Sequence, residues 1–186
     1  METPVKTFKL LFLCVFLSSC QSQDELKKTI IEWHGKVIII PYEMINYKVL
    51  GKDVVGSHLW ESSFKIFTYI DSVGCTSCQL GLNNWKQMID SCKIYRLDIA
   101  FLFVVHSTDY DLFTYELLLS RFDYPVIYDY QNNFDKLNHF PKEPYRTFLL
   151  DKNNTVLLIG SPIKNKKIWE LYKEVITQHQ RNEKSL

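Results

Sequence analysis

Two long apolar runs, each followed by an amphipathic segment, dominate the middle of the chain. The runs at 64–70 and 99–105 are apolar at most positions, which predicts central strands buried on both faces. After each run, apolar residues recur at steps of three and four, the spacing of one face of a helix. They are Leu82, Trp85, Ile89 and Cys92 in the first segment, and Leu112, Tyr115, Leu118, Leu119 and Phe122 in the second. The pattern predicts a β-α-β-α order, with the first helix running from Thr76 onward.

The C-terminal third continues this alternation and then changes to a hairpin. Residues 125–129 form a third short strand in the prediction, and 133–138 form a helical turn. Two short apolar runs, 147–150 and 156–159, flank the turn-forming residues 151–154 and predict a β-hairpin. A closing helix is indicated by Ile168, Leu171, Tyr172, Val175 and Ile176. Strands that alternate with helices before a late hairpin predict an α/β fold, a mixed central sheet with helices on both faces.

The segment before the first long run predicts an extension of this sheet. A short helix fits the apolar spacing from Asp24 to Trp33, and the β-branched run 37–40, stopped by Pro41, predicts a strand. Residues 47–50 and 54–55 flank a turn at 51–53, so an N-terminal β-hairpin is expected at the sheet edge.

The N-terminus has the pattern of an export signal. Lys6 and Lys9 precede an apolar run at 10–17 that is short for a membrane span. The run ends in Leu-Ser-Ser-Cys20, which resembles the lipobox of bacterial lipoproteins and implies a lipid on Cys20; the alternative is an ordinary secretory leader with a coincidental cysteine. We therefore expect a signal peptide at 1–19, a lipidated cysteine and polar tether at 20–35, one folded domain at 36–180 and a polar tail at 181–186.

Charge and cysteine content narrow the function classes. The net charge of +1 argues against nucleic-acid binding, and the five histidines show no paired spacing for a metal site, so we expect neither nucleic acid, metal nor cofactor. Once the leader is removed and Cys20 is acylated, the folded domain keeps a Cys75-x-x-Cys78 pair and Cys92. Cys92 lies on the apolar helix face, where a buried core cysteine is expected rather than a redox sensor.

The Cys75–Cys78 pair is placed at a strand-to-helix turn, where thiol chemistry is favoured. A cysteine at the start of a helix meets unsatisfied backbone N–H groups and the positive end of the helix dipole, both of which favour the thiolate. Cys78, one turn further, is close enough to attack a mixed disulfide formed at Cys75. The pair is therefore predicted to exchange disulfides.

These residues together resemble the thioredoxin superfamily, especially its membrane-tethered TlpA/ResA-type oxidoreductases. The resemblance covers roughly residues 60–180 and is carried by Cys75-Thr-Ser-Cys78 after a buried strand, by 124–129 (Tyr-Pro-Val-Ile-Tyr-Asp) and by 147–152 (Thr-Phe-Leu-Leu-Asp-Lys). It implies a thioredoxin-like fold, with Cys75 as nucleophile and Cys78 as resolving thiol. Gly74 replaces the family's usual tryptophan.

The resemblance also implies a cis-proline before the late hairpin. Pro144 stands one residue further from Phe148 than the usual spacing, so either a bulge absorbs the offset or Tyr145 takes that place. Arg146 would then lie opposite the sulfurs and lower the thiolate pKa, or else be a solvated strand-end residue. Asp71, four residues before Cys75, is either a proton shuttle or a turn former.

The sequence therefore favours an envelope thiol-disulfide oxidoreductase, a reductase or isomerase of protein disulfides. Its expected partners are envelope proteins as disulfide substrates, an unidentified electron donor, and a membrane reached through the lipid anchor. A noncatalytic thioredoxin-fold binding lipoprotein with a structural Cys75–Cys78 disulfide is the alternative. A peroxiredoxin-like peroxidase is disfavoured because Thr68 stands where that family's motif needs proline.

Overall fold

A computed structural model describes residues 24–72, 81–94 and 97–183 of the chain. The chain divides into two compact units, 1–33 and 34–186. In the first unit residues 24–33 form helix α1, as predicted. Among the described residues, no helix has both the length and the hydrophobicity needed to cross a bilayer.

The second unit is built on one seven-stranded mixed sheet. Its strands are β1 (Tyr47–Val49), β2 (Lys52–Asp53), β3 (Phe64–Ser72), β4 (Ile99–Ser107), β5 (Val126–Tyr128), β6 (Thr147–Leu150) and β7 (Val156–Ile159). They lie in the order β2-β1-β5-β4-β3-β6-β7. β3, β4 and β5 are parallel, whereas β1 and β6 run antiparallel to their neighbours. The predicted mixed α/β sheet is therefore confirmed, and the N-terminal hairpin extends one edge of it.

Three helices cover one face of the sheet. They are α2 (Leu82–Ile94), α3 (Tyr110–Leu119) and α5 (Lys166–Glu183). Alternate residues of β3 and β4, such as Ile66 and Phe103, point to this face and form a single apolar core with the helices. Trp85 meets the Phe103 ring edge-on at a centroid distance of 5.3 Å. Burial of these rings supplies the main driving force that holds the helices on the sheet.

The opposite face is covered by a short helix and the chain that follows it. Helix α4 (Asn133–Asn138) brings Phe134 to within 6.0 Å of Phe67, and Phe140 lies 5.5 Å from the same ring. Phe67 and Tyr69 are two residues apart on β3 and therefore share this face. Phe140 also stacks on Tyr69 at 4.6 Å. This aromatic layer continues along β3 toward its carboxyl end.

One predicted boundary is wrong in a way that matters for the site. β3 continues through Ser72, so Asp71 is a strand residue and not a turn former. Of the first predicted helix the structure describes α2, which spans Leu82–Ile94, and Gly81 before it has φ +58. The predicted helix start at Thr76, beside the cysteine pair, lies outside the described residues.

Three other details differ from the prediction. The hairpin turn is Leu50-Gly51, both with positive φ, so residues 52–53 belong to β2 and not to the turn. Residues 37–40 form one bridge, Val37 with Thr155, instead of a strand, because the Ile39 backbone pairs with the Asn138 side chain. The buried face of α3 differs from the face that the apolar spacing predicted. The helix buries Phe113 and Leu117, and it leaves exposed the predicted core residues Leu112, Tyr115, Leu118 and Leu119.

Candidate active site

The carboxyl ends of β3, β4 and β5 meet at one edge of the sheet, and the candidate site is built there. Because the three strands are parallel, the residues that follow them share this edge. Cys75 follows the end of β3 by three residues. Cys75 and Cys78 themselves lie outside the described residues, as does Cys20. The described part of the site is therefore the set of side chains around the end of β3.

Asp71 and Arg146 form the charged part of this edge. The Arg146 Nη1 atom lies 3.8 Å from Asp71 Oδ2, and the two side chains are 18% and 29% exposed. Arg146 Nε also donates to the Pro141 carbonyl at 2.7 Å, and its guanidinium lies 5.5 Å from the Tyr69 ring centroid. Of the two interpretations of Arg146, the solvated strand-end residue is wrong. Its cation is held at the edge where β3 leads toward Cys75.

The Tyr69 ring packs against the Arg146 guanidinium. Its side chain is buried, its hydroxyl donates to the Asn132 Oδ1 atom, and its backbone N–H donates to the Arg146 carbonyl at 3.0 Å. Burial raises the pKa of Tyr69, and the nearby carboxylates of Asp135, Asp71 and Asp129 raise it further. The phenol therefore stays protonated and remains a hydrogen-bond donor across the physiological pH range.

Pro144 and Tyr145 precede Arg146 in the segment that leads into β6. The Glu143–Pro144 peptide bond is cis, so the spacing offset does not move the cis bond to another residue. Pro144 is exposed and Tyr145 is half-buried, with its backbone N–H donating to the Lys142 carbonyl at 3.1 Å. The structure thus brings Asp71 and Arg146 into contact at the site edge, with the cis-proline two residues before Arg146.

His106 and Asp129 belong to the same edge and were missed by the sequence reasoning. His106 pairs with Asp71 in the parallel β3–β4 register, so their side chains share a face. The His106 Nδ1 atom lies 3.0 Å from the Asp129 carbonyl oxygen. The Asp129 carboxylate in turn accepts from the backbone N–H groups of Asn133 at 2.8 Å and Phe134 at 2.9 Å. In the sequence His106 directly follows the predicted strand 99–105, and its pairing with Asp71 is visible only in the strand register.

Cys92 is a core residue, as expected. It is 3% exposed on the inner face of α2, and burial raises the pKa of its thiol to about 11. A thiol that is both buried and protonated reacts slowly with disulfides and oxidants.

A cavity of about 260 Å³ opens where the chain leaves β5 and approaches β1. It is lined by Met44, Asn46, Tyr130, Gln131 and Asn133. These five described residues combine an aromatic ring and a thioether with three side-chain amides, and none of the five is charged. Over the described residues, no cluster of three or more His, Cys, Asp or Glu side chains could hold a metal ion.

Comparison with known proteins identifies the fold. The thioredoxin domain of a thiol-disulfide oxidoreductase from Bacteroides vulgatus superimposes with a TM-score of 0.56 at 9% identity, covering 75% of this chain and 97% of that one. A second Bacteroides vulgatus protein, described as a thiol-disulfide oxidoreductase, gives 0.56 at 14% identity, covering 73% and 87%. A Chlorobium tepidum protein described as thiol:disulfide interchange protein DsbE gives 0.51 at 19%, covering 63% and 82%. No family model matches the sequence, and no curated protein matches it significantly. The fold is thioredoxin-like.

Proposed function

We propose that this chain is an envelope thiol-disulfide oxidoreductase that uses the Cys75–Cys78 pair and is tethered to a membrane through Cys20. The observation that carries the proposal is the Asp71–Arg146 pair at the carboxyl end of β3, which leads directly to the Cys75-x-x-Cys78 motif. The thioredoxin-like fold supports it.

Arg146 supplies a positive charge at the strand end that leads toward Cys75. A guanidinium held at the edge favours the thiolate over the thiol, and Asp71 keeps that guanidinium in place. In this proposal Arg146 and Asp71 tune the thiol chemistry, and Asp71 also remains a candidate proton carrier.

The proposed reaction conserves two electrons and two protons. The Cys75 thiolate attacks a substrate disulfide, so that a Cys75–substrate disulfide forms and one substrate thiolate leaves. The Cys78 thiolate then attacks Cys75, forming the Cys75–Cys78 disulfide and releasing the second substrate thiolate. The substrate is reduced to two thiols while the pair is oxidised, and an electron donor in the envelope restores the dithiol.

The proposal is tested by dithiothreitol-driven reduction of insulin. We use the full chain in detergent, with Cys14 and Cys20 replaced by serine so that they contribute no thiols. The wild-type pair is expected to accelerate insulin reduction, Cys75→Ser to abolish the acceleration, and Arg146→Gln to slow it about tenfold, as one pKa unit of lost thiolate stabilisation requires.

Arg121→Gln is the matched control. Arg121 carries the same side chain in an exposed position, where α3 turns back into β5, at the opposite end of the parallel strands. This variant should match the wild type. Equal rates with and without Cys75 would overturn the oxidoreductase proposal and favour a noncatalytic binding domain with a structural disulfide.

A further inference from the structure

The cavity at the carboxyl end of β5, called here the β5 cleft, has two walls that are fixed to the sheet. Its lining residues are Met44, Asn46, Tyr130, Gln131 and Asn133. On the β1 side, the Asn46 carbonyl accepts the Tyr128 backbone N–H at 2.8 Å. On the α4 side, the Asn133 backbone N–H donates to Asp129 Oδ1 at 2.8 Å. A ligand therefore meets a cleft whose backbone is already ordered, which lowers the entropic cost of binding.

The Tyr130 ring is held in place and yet half exposed. It packs on Tyr110 at a centroid distance of 4.6 Å, and Tyr110 stacks on the buried Tyr128 at 5.1 Å. The Tyr128 hydroxyl in turn lies 2.8 Å from Thr114 Oγ1. Tyr130 nevertheless keeps 48% of its surface exposed, and the neighbouring Met44 keeps 55%. The ring and the thioether thus give the cleft an apolar surface that is open to a ligand.

The polar part of the cleft consists of side-chain amides with unused hydrogen-bonding capacity. Within the described part of the chain, the Gln131 and Asn133 amides form no hydrogen bond, and Asn46 Nδ2 makes one long contact of 3.4 Å with the Met44 carbonyl. Each amide offers two donors and one acceptor. Because none of the lining residues is charged, the matching ligand is neutral and carries groups that both donate and accept hydrogen bonds.

The backbone around the cleft is already paired, which argues against an extended peptide as the ligand. β1 occupies the edge of β5, with Lys48 opposite Val126, and the Asn46 carbonyl is taken by β5. The Met44 N–H donates to the Pro41 carbonyl at 2.8 Å. A peptide that adds to a sheet needs an unpaired strand edge, and this cleft offers side chains instead. A sugar ring suits such a lining, since it has C–H faces for an aromatic ring and a rim of hydroxyl groups for amides.

We propose that the β5 cleft binds one neutral pyranose unit of a saccharide. A C–H face of the sugar ring packs on Tyr130 and Met44, and its hydroxyl groups form hydrogen bonds with the three amides. The cavity volume of about 260 Å³ is below the roughly 300–1,000 Å³ of pockets for drug-sized ligands, which limits the occupant to about one ring. This site is independent of the thiol chemistry proposed above.

Saturation-transfer NMR tests the proposal on the full chain in the Cys14→Ser, Cys20→Ser background, held in a detergent without a sugar headgroup. The probes are glucose, galactose, mannose and N-acetylglucosamine, each as the free sugar and as its methyl glycoside. We expect at least one of them to bind with a Kd of about 1 mM, a typical affinity for a ligand of about a dozen non-hydrogen atoms. The strongest transfer should reach the C–H protons on one face of the ring. A requirement for the free anomeric hydroxyl assigns the cleft to a single sugar, and equal binding assigns it to a unit within a glycan.

Two variants and one control locate the binding. Tyr130→Ala should weaken it at least about tenfold, and Gln131→Ala about fivefold, the effect of one lost hydrogen bond. Tyr115→Ala, which removes a tyrosine that is 56% exposed on α3 outside the cleft, should leave the Kd unchanged. If Tyr130→Ala does not fold, the exposed Gln131 decides, because its side chain has no described hydrogen bond to lose.

Three results would overturn the proposal. The first is no transfer to any of these sugars at concentrations up to about 20 mM. The second is sugar binding that both cleft variants leave unchanged. The third is binding of carboxymethylated insulin B chain that Tyr130→Ala and Gln131→Ala weaken, in the absence of sugar binding, which would make the cleft a peptide site.

Discussion

Replacing Asp129 by alanine should destabilise the protein much more than an ordinary helix-cap mutation. The Asp129 carboxylate is buried and accepts two backbone N–H bonds at the start of α4. A hydrogen bond to a charged group contributes about 1.5–3 kcal/mol, and the two donors would be left buried without an acceptor. Allowing for relaxation, Asp129→Ala should lower the free energy of unfolding by about 3–5 kcal/mol.

Asp109→Ala is the matched control because it removes the same kind of cap at an exposed helix start. Asp109 accepts from the Leu112 backbone N–H at 2.9 Å at the beginning of α3. Loss of an exposed cap costs about 1 kcal/mol. The contrast between these two variants therefore isolates the effect of burial.

Urea denaturation at pH 7, followed by circular dichroism, measures both variants. With the denaturant slope unchanged, the midpoint should fall about three to five times further for Asp129→Ala than for Asp109→Ala. In thermal unfolding, a loss of 3–5 kcal/mol corresponds to a decrease in Tm of roughly 6–20 °C for a domain of this size. If the two variants differ by less than about 1 kcal/mol, the buried carboxylate does not organise this edge of the sheet.

Three further predictions concern the core. The Lys65 side chain is buried, and its Nζ atom donates to the carbonyls of Trp60, Ser62 and Lys152. Burial lowers the pKa of Lys65, so between this lowered pKa and about pH 10.4 the unfolded chain binds more protons than the folded chain. The unfolding free energy of wild type relative to Lys65→Met should therefore rise with pH between 8 and 10, as urea titrations will measure, and a flat difference would contradict this. Cys92 should resist iodoacetamide at pH 8 in the native protein and react once the chain is unfolded in urea, and rapid native labelling would disprove its burial. Phe67→Ala should cost about 3–5 kcal/mol in urea denaturation because it opens the aromatic layer beneath the site, and a loss below 1 kcal/mol would show that this layer repacks freely.

The strand and helix order was predictable because burial imposes strong patterns. Two long runs of apolar residues predicted β3 and β4. The hairpin of β6 and β7 was predicted with its observed bounds. The phase of α3 was not predictable from spacing, because apolar residues occupy more than one side of this helix and the tertiary contacts decide which side is buried.

The site was only partly predictable. Asp71, Pro144 and Arg146 were identified from their distance to the cysteines or to β6, and the structure joins Asp71 to Arg146. His106 was considered only as a metal ligand, because its position beside Asp71 depends on strand register and its orientation on a hydrogen bond to a distant backbone carbonyl. Sequence spacing carries no information about either. Which side chains lie next to one another on paired strands can be determined only once the strand order and register are known.

The central claim is that Cys75 and Cys78 form a reversible redox couple, and a redox titration tests it most directly. The full chain, with Cys14 and Cys20 replaced by serine, is equilibrated in buffers of defined potential and its free thiols are trapped and counted. The account predicts a two-electron transition between about −120 and −270 mV that disappears in both Cys75→Ser and Cys78→Ser. A pair that stays oxidised below about −300 mV, or that never forms a disulfide, would contradict it.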